Sequence, residues 1–162
     1  MAKEKSFNIT ELVNNSGCFD LQFRKDTRHE RTGSPTYYRW KVQFIITLPK
    51  TEVKDLEKIA RMLGCGKITA TGNQARFSVQ DIDDIFNIII PHFTKHALTA
   101  KKKDFELWHK AAQIIQKNKG VKLAAWEKND LKKLLQIHQL KTQHKQKHRT
   151  AKWLDMAQTL AK

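Results

Sequence analysis

Apolar and polar residues alternate along two stretches of this chain with the two-residue period of a half-buried strand. In residues 18 to 24, Phe19, Leu21 and Phe23 form one face and Asp20, Gln22 and Arg24 the other. In residues 37 to 47, Tyr38, Trp40, Val42, Phe44 and Ile46 oppose Tyr37, Arg39, Lys41 and Gln43. The charged segment between them ends in Thr32-Gly33-Ser34-Pro35, a loop signal, so the pair predicts a long hairpin with a basic tip. A shorter hairpin is predicted over 66 to 71 and 74 to 79, turning at Gly72-Asn73, with Ala75, Phe77 and Val79 against Gln74, Arg76 and Ser78.

Helical spacing separates and flanks the hairpins. Phe7, Ile9, Leu12 and Val13 suit a helix of about two turns that ends at Gly17. After Pro49, Thr51 resembles a capped start, and Val53, Leu56, Ile59, Ala60 and Leu63 recur on one helical face before Gly64. Asp81 opens a further helix carrying Ile82, Ile85, Phe86, Ile89 and Ile90, which Pro91 is expected to stop. Residues 94 to 103 read as a lysine-rich loop, and a helix follows from about Lys103 to Lys117, with Phe105, Leu107, Trp108, Ala111, Ile114 and Ile115 apolar. Gly120 is a hinge, and from about Trp126 onward the chain has helix-forming composition without Gly or Pro. The order α-β-β-α-β-β-α predicts an α+β fold, with one antiparallel four-stranded sheet, helices on its apolar face and the other face open.

Charge changes this picture. Lys and Arg number 31 against 16 Asp and Glu, giving a formal charge of +15 and a pI near 9.9. Such an excess points to a polyanionic partner, nucleic acid above all. Cys18 and Cys65 are far apart and lack metal-ligand spacing, so neither a zinc site nor a disulfide framework is expected. No apolar run approaches a membrane span, and Met1-Ala2-Lys3-Glu4-Lys5 has no signal-peptide core. His144 and His148 are four residues apart, but neither a carboxylate nor a cysteine accompanies them. No metal and no cofactor are expected.

Certain residues on this frame resemble one unit of the LAGLIDADG homing endonuclease family. They are Gly17-Cys18-Phe19, Leu63-Gly64-Cys65-Gly66-Lys67-Ile68, Ile88-Ile89-Ile90-Pro91-His92-Phe93, and the run from Leu98 to Trp108, together covering about residues 7 to 118. The resemblance implies an αββαββα fold whose sheet forms a saddle on a nucleic-acid groove, with a motif helix packed against its twin. It also implies an acidic metal ligand just before the glycine of the GCF run, where this chain has Ser16. Serine is a neutral, poor ligand for Mg²⁺, so Ser16 marks a degenerate active-site position. At the family's small helix-interface positions stand Glu11 and Asn15, which places the two-fold homodimer in doubt. Ile45 stands where glutamine is usual, and Lys101 matches the family's active-site lysine.

These readings assign residues 1–118 to a nucleic-acid-binding domain and 119–162 to a basic helical extension. The expected binding residues are Gln22, Arg24, Arg39, Lys41, Gln43, Lys67, Thr69, Thr71, Arg76 and Ser78 on the open sheet face. Lys25 and Arg28 in the first loop, Lys101 and Lys102, and Lys141, Lys145, Lys147 and Arg149 in the extension join them. Residues 126 to 162 hold nine Lys or Arg against three Asp or Glu, a second concentration of positive charge. Trp40 and Trp108 are expected in the core, whereas Trp126 and Trp153 suit either packing or base stacking. The expectation is a chain that binds nucleic acid without cutting it and is not an enzyme. RNA is favoured over DNA, either ribosomal or intron RNA in a mitochondrion or chloroplast, with other ribonucleoprotein proteins as partners. The alternatives are a site-specific DNA endonuclease and a DNA-binding regulator.

Overall fold

The computed structural model describes residues 8–27, 36–142 and 154–162. Helix α1 (Ile9–Ser16) starts at Asn8, whose side-chain oxygen accepts the Glu11 N–H at 3.2 Å and caps the first turn. It buries Ile9 and Val13, and Gly17 follows it directly into strand β1 (Gly17–Thr27). A side chain at Gly17 would collide with Val13, so the tight exit from helix to strand needs a residue without a Cβ. Strand β2 (Thr36–Pro49) is longer than the alternation predicted and keeps Pro49 as its last residue. A single 3₁₀ turn, Lys50–Glu52, leads into α2 (Val53–Leu63), and no side chain caps that start; Thr51 lies within the turn. Gly64 closes α2 in the left-handed conformation at φ 71°.

Strands β3 (Lys67–Thr71) and β4 (Gln74–Val79) form the second hairpin, and the sheet order is β1-β2-β4-β3. β4 pairs antiparallel with β2 through Phe44↔Val79, Ile46↔Phe77 and Thr47↔Arg76, and with β3 through Lys67↔Ser78, Thr69↔Arg76 and Thr71↔Gln74. Paired residues share a face, so Phe44, Ile46, Phe77 and Val79 line the inner side. The LAGLIDADG-type αββαββα order and the four-stranded antiparallel sheet are as expected.

Pro91 does not stop its helix. Asp81 caps α3 (Ile82–Asp84) by accepting the N–H groups of Asp83 and Asp84, and the chain continues through a π turn at Ile85–Ile89 into α4 (Ile90–Lys95). In that turn the Ile90 N–H reaches back five residues to the Ile85 carbonyl. One extra residue in the ladder relieves the ring clash and missing donor that would break a regular helix here. α4 therefore places Pro91 in its first turn, where proline is tolerated. Helix α5 (Lys102–Lys117) follows the loop, then a 3₁₀ turn at Leu123–Ala125, α6 (Lys128–Thr142) and α7 (Leu154–Ala161).

The chain divides into two compact units, and β1 and β2 pass through both. Unit 1 comprises Met1–Asp20 and Gln43–Glu106. Its core is an aromatic cluster in which Phe19 meets Phe44, Phe93 and Phe105 at centroid distances of 5.3, 5.8 and 5.3 Å, joined by fully buried Phe77, Ile46, Leu56, Ile59, Ile85 and Ile89.

Unit 2 comprises Leu21–Val42 and Leu107–Lys162. Phe23 stacks on Tyr38 and tilts against Trp40, which also meets His138 edge-on. Trp108, Leu131 and Leu134 are fully buried. Asp130, itself buried, accepts hydrogen bonds from Lys117 and Asn118 and fastens the end of α5 to the start of α6. Burial pushes the Asp130 carboxyl up, but those two hydrogen bonds and the positive charges of Lys117 and Lys133 outweigh it and hold the group below its ordinary range. Trp126 is also buried and donates its indole N–H to the Val121 carbonyl, so it packs within the protein. No helix among the described residues is long and apolar enough to cross a membrane. Neither Cys18 nor Cys65 is in a disulfide.

Candidate nucleic-acid interface

Period-two alternation turns one residue in two away from the core, and in unit 1 the outward positions are Cys18, Asp20, Gln43, Ile45, Thr47, Pro49, Lys67, Thr69, Thr71, Gln74, Arg76 and Ser78. Lys67, Thr69, Thr71, Gln74 and Arg76, on edge strand β3 and its neighbour β4, are exposed, and Ser78 is half-buried. Arg76 lies opposite both Thr47 and Thr69, which puts a guanidinium between two hydroxyl-bearing neighbours. The outward residues of β2 are less open than those of β4, although both strands are interior to the sheet. Gln43 and Ile45 are each only 7% exposed. Gln43, expected on the open face, is therefore not an open contact. Its amide Nε2 donates to Asp20 Oδ2 at 2.8 Å, and Asp20 is half-exposed.

In unit 2 the outward residues are Gln22, Arg24, Arg39 and Lys41. Arg24, Lys25 and Arg39 are exposed, and Gln22 and Lys41 are half-buried. Lys141 is half-buried near the end of α6. Arg28, Lys145, Lys147 and Arg149, with His144, His148 and Trp153, lie outside the described residues.

The end of α1 forms a second feature of unit 1. Ser16 is the last residue of the helix and is half-buried. Asn14, two residues back, reaches across to the loop before α5. Its Oδ1 accepts the backbone N–H groups of Thr99 at 3.1 Å and Lys101 at 3.3 Å. One amide oxygen thus fixes the backbone of the segment carrying Lys101 beside the helix end. Sequence reasoning missed Asn14, since an asparagine in a helix gives no signal of a partner 85 residues away; only the fold brings the two together. Glu11 and Asn15 are exposed on α1.

Asn14, Asn15 and Ser16 provide neutral oxygens and no carboxylate. Among the described residues no group of three or more His, Cys, Asp or Glu side chains could hold a metal ion. Mg²⁺ sites rely on one or two carboxylates besides water and phosphate. The helix end therefore offers the divalent ion that the family resemblance implies no carboxylate of its own, and a carboxylate ligand would have to come from elsewhere.

Comparisons with known proteins bear on this arrangement. The family model described as LAGLIDADG endonuclease matches residues 12–112. "Probable intron-encoded endonuclease 3" of Neurospora crassa is 32% identical over 103 residues, which are 62% of this chain and 19% of that protein. "Probable intron-encoded DNA endonuclease 1" of Mycosarcoma maydis is 26% identical over 121 residues, 72% of this chain and 42% of that protein. The chain thus spans less than half the length of either relative. Among solved structures, the homing endonuclease I-TnaI superposes with a TM-score of 0.69 at 16% identity, covering 95% of both chains. The LAGLIDADG meganuclease I-AabMI bound to uncleaved DNA superposes with a TM-score of 0.63 at 27% identity, covering 80% of this chain and 41% of that one.

The expectation that the chain is not an enzyme is overturned by these findings. It rested on Ser16, on the lack of a carboxylate beside it and on Glu11 and Asn15 at the helix interface, whereas the matching family model and both relatives are of endonucleases. The residues of one helix are a weaker guide to activity than a likeness running through the sheet and its helices. The family match spans both hairpins, the helices that follow each of them and most of α5, and on that ground the chain belongs to the LAGLIDADG endonuclease family.

Proposed function

We propose that this chain is a site-specific endonuclease unit that acts on double-stranded DNA, docking the outward face of its sheet on the duplex. The observation that carries the reading is the cationic, hydroxyl- and amide-rich outward surface of β3 and β4, with Lys67, Thr69, Gln74 and Arg76 exposed. It sits within the region that matches the endonuclease family. Arg and Lys contact phosphates and guanine edges, and Gln suits adenine. Lys101, held through its backbone by Asn14, is the cation suited to a phosphate near the helix end. The preference for RNA drawn from the residues alone gives way to duplex DNA, because I-AabMI was solved on DNA and the M. maydis relative is named a DNA endonuclease. Both relatives are named as intron-encoded, which supports an intron of a mitochondrial genome as the setting.

Incubation with a randomised duplex library in Mg²⁺ or Mn²⁺ tests the reading. Cuts recurring within one sequence are expected. Uncut duplex under both ions, with tighter binding to structured RNA than to duplex DNA at the same salt concentration, overturns it and returns the chain to the RNA-binding reading.

A further inference from the structure

Among the described residues, Asp20 is the one carboxylate at the outward sheet positions of unit 1, which otherwise carry lysine, arginine, hydroxyls, amides, a thiol, a proline and one isoleucine. A negative charge on a surface built to meet phosphates weakens contact with every nucleic acid alike. Such a group adds selectivity only where it meets a hydrogen-bond donor, and among duplex components the donors facing the major groove are the exocyclic amines of the bases. The Asp20 side chain is also not left to wander. Gln43, almost fully occluded on the neighbouring strand, donates its Nε2–H to Asp20 Oδ2 at 2.8 Å. Only the amide nitrogen can serve a carboxylate, so the orientation of Gln43 is fixed by chemistry. Buried support beneath a half-exposed carboxylate presets its direction and lowers the entropy given up on binding.

We infer that Asp20, braced by Gln43, is a specificity-determining residue that selects cytosine at one base pair of the target by accepting its N4 amine. The inference rests on the proposed action on duplex DNA and names what one part of that surface reads. A carboxylate accepts from cytosine N4 and repels the acceptor atoms of guanine, the O4 of thymine and the N7 that stands beside the adenine amine, so it discriminates by repulsion as well as attraction.

The test reads binding rather than cleavage. The full chain selects from a randomised duplex pool without divalent ions, and the enriched sequences are compared for wild type, Asp20→Asn and Gln43→Leu. Wild type is expected to show one cytosine position at which exchange for another base lowers affinity on the order of tenfold. Asp20→Asn is expected to lose that preference alone, leaving the other enriched positions intact and raising affinity for unrelated duplex. Gln43→Leu is expected to weaken the same preference without abolishing it. The wild-type measurement on duplexes differing only at that pair stands even if a variant fails to fold, and equal affinity for all four bases there overturns the inference. An unchanged cytosine preference in folded Asp20→Asn overturns it as well. Selective binding here, with duplex left uncut in Mg²⁺ and Mn²⁺, would sink the nuclease reading and leave this inference standing, whereas a wild type with no sequence preference sinks the inference whether or not DNA is cut.

Discussion

The side-chain oxygen of Asn14 accepts the backbone N–H of Lys101 at 3.3 Å, tying the motif helix to a segment 87 positions further along the chain. The same oxygen takes the Thr99 N–H at 3.1 Å. Asn14→Ala removes one acceptor from two donors and is expected to cost about 1–3 kcal/mol of stability. Asn14→Asp keeps both bonds and makes them charge-assisted, so it is expected to restore the stability. Denaturant midpoints of the three proteins check this, and equal midpoints for wild type and Asn14→Ala would show that the clamp holds nothing.

Arg76 and Lys67 are exposed on the outward surface and are expected to act through phosphates in the proposed complex. Removing one phosphate-binding cation should lower the slope of log affinity against log salt by about one. Arg76→Ala and Lys67→Ala are therefore each expected to flatten the slope by about that amount with little change in thermal stability. Titrations of duplex binding at several salt concentrations measure it.

Gly66 has φ 97°, and a Cβ there would run into the ring of Phe77. Phe77 is fully buried beneath the sheet and has no room to withdraw. Gly66→Ala combines a strained backbone with overpacking, for which about 1–3 kcal/mol of lost stability is expected. Gly64→Ala meets no neighbouring atom and carries only the backbone strain, so it should be the milder of the two. Thermal melts of both variants decide the order.

Two titrating groups make stability depend on pH in the same direction by different routes. Burial, and after it the neighbouring His96, pushes the His92 imidazole below its ordinary value. The folded protein thus favours neutral His92, and stability is expected to fall as pH drops below about 6.5, where the unfolded chain takes up the proton first. His92→Gln should flatten that decline. Asp130 is held below its ordinary value, so its contribution is present above about pH 4 and is lost as acid protonates it in the fold. Asp130→Ala leaves the buried Asn118 amide without one acceptor and should cost about 1–3 kcal/mol at neutral pH. Stability measured from about pH 2 to 8 separates the His92 contribution from the Asp130 one.

The strands and most helices were legible because their signals are local. Alternation over 19–23 and 38–46 set both the strands and their faces, and the glycine after Leu63 marked a helix end that the structure closes in the left-handed conformation. Pro91 misled, because a proline rule assumes a regular helix and the chain inserts a π turn before it. Gln43 was placed on the right face but not at the right depth. Alternation reports direction, whereas depth depends on what the fold brings alongside, here Asp20 of the neighbouring strand. Asn14 and the Asp20–Gln43 pair were illegible for a related reason. Both depend on residues brought together over 23 to 87 positions, and no local pattern records such a meeting. The expectation of no enzyme weighed the residues around Ser16 above the whole span of likeness to the endonuclease family.

The pairing of β3 with β4 has a metric consequence. Its outward rows, Lys67↔Ser78, Thr69↔Arg76 and Thr71↔Gln74, succeed one another every second residue. At about 3.4 Å per residue in an antiparallel strand, neighbouring rows stand about 6.8 Å apart. Stacked base pairs advance by about 3.4 Å. In the proposed complex, a ribbon laid along the duplex axis presents a fresh pair of side chains at every second base step, and retailoring one row would rewrite one letter of a target while sparing its neighbours.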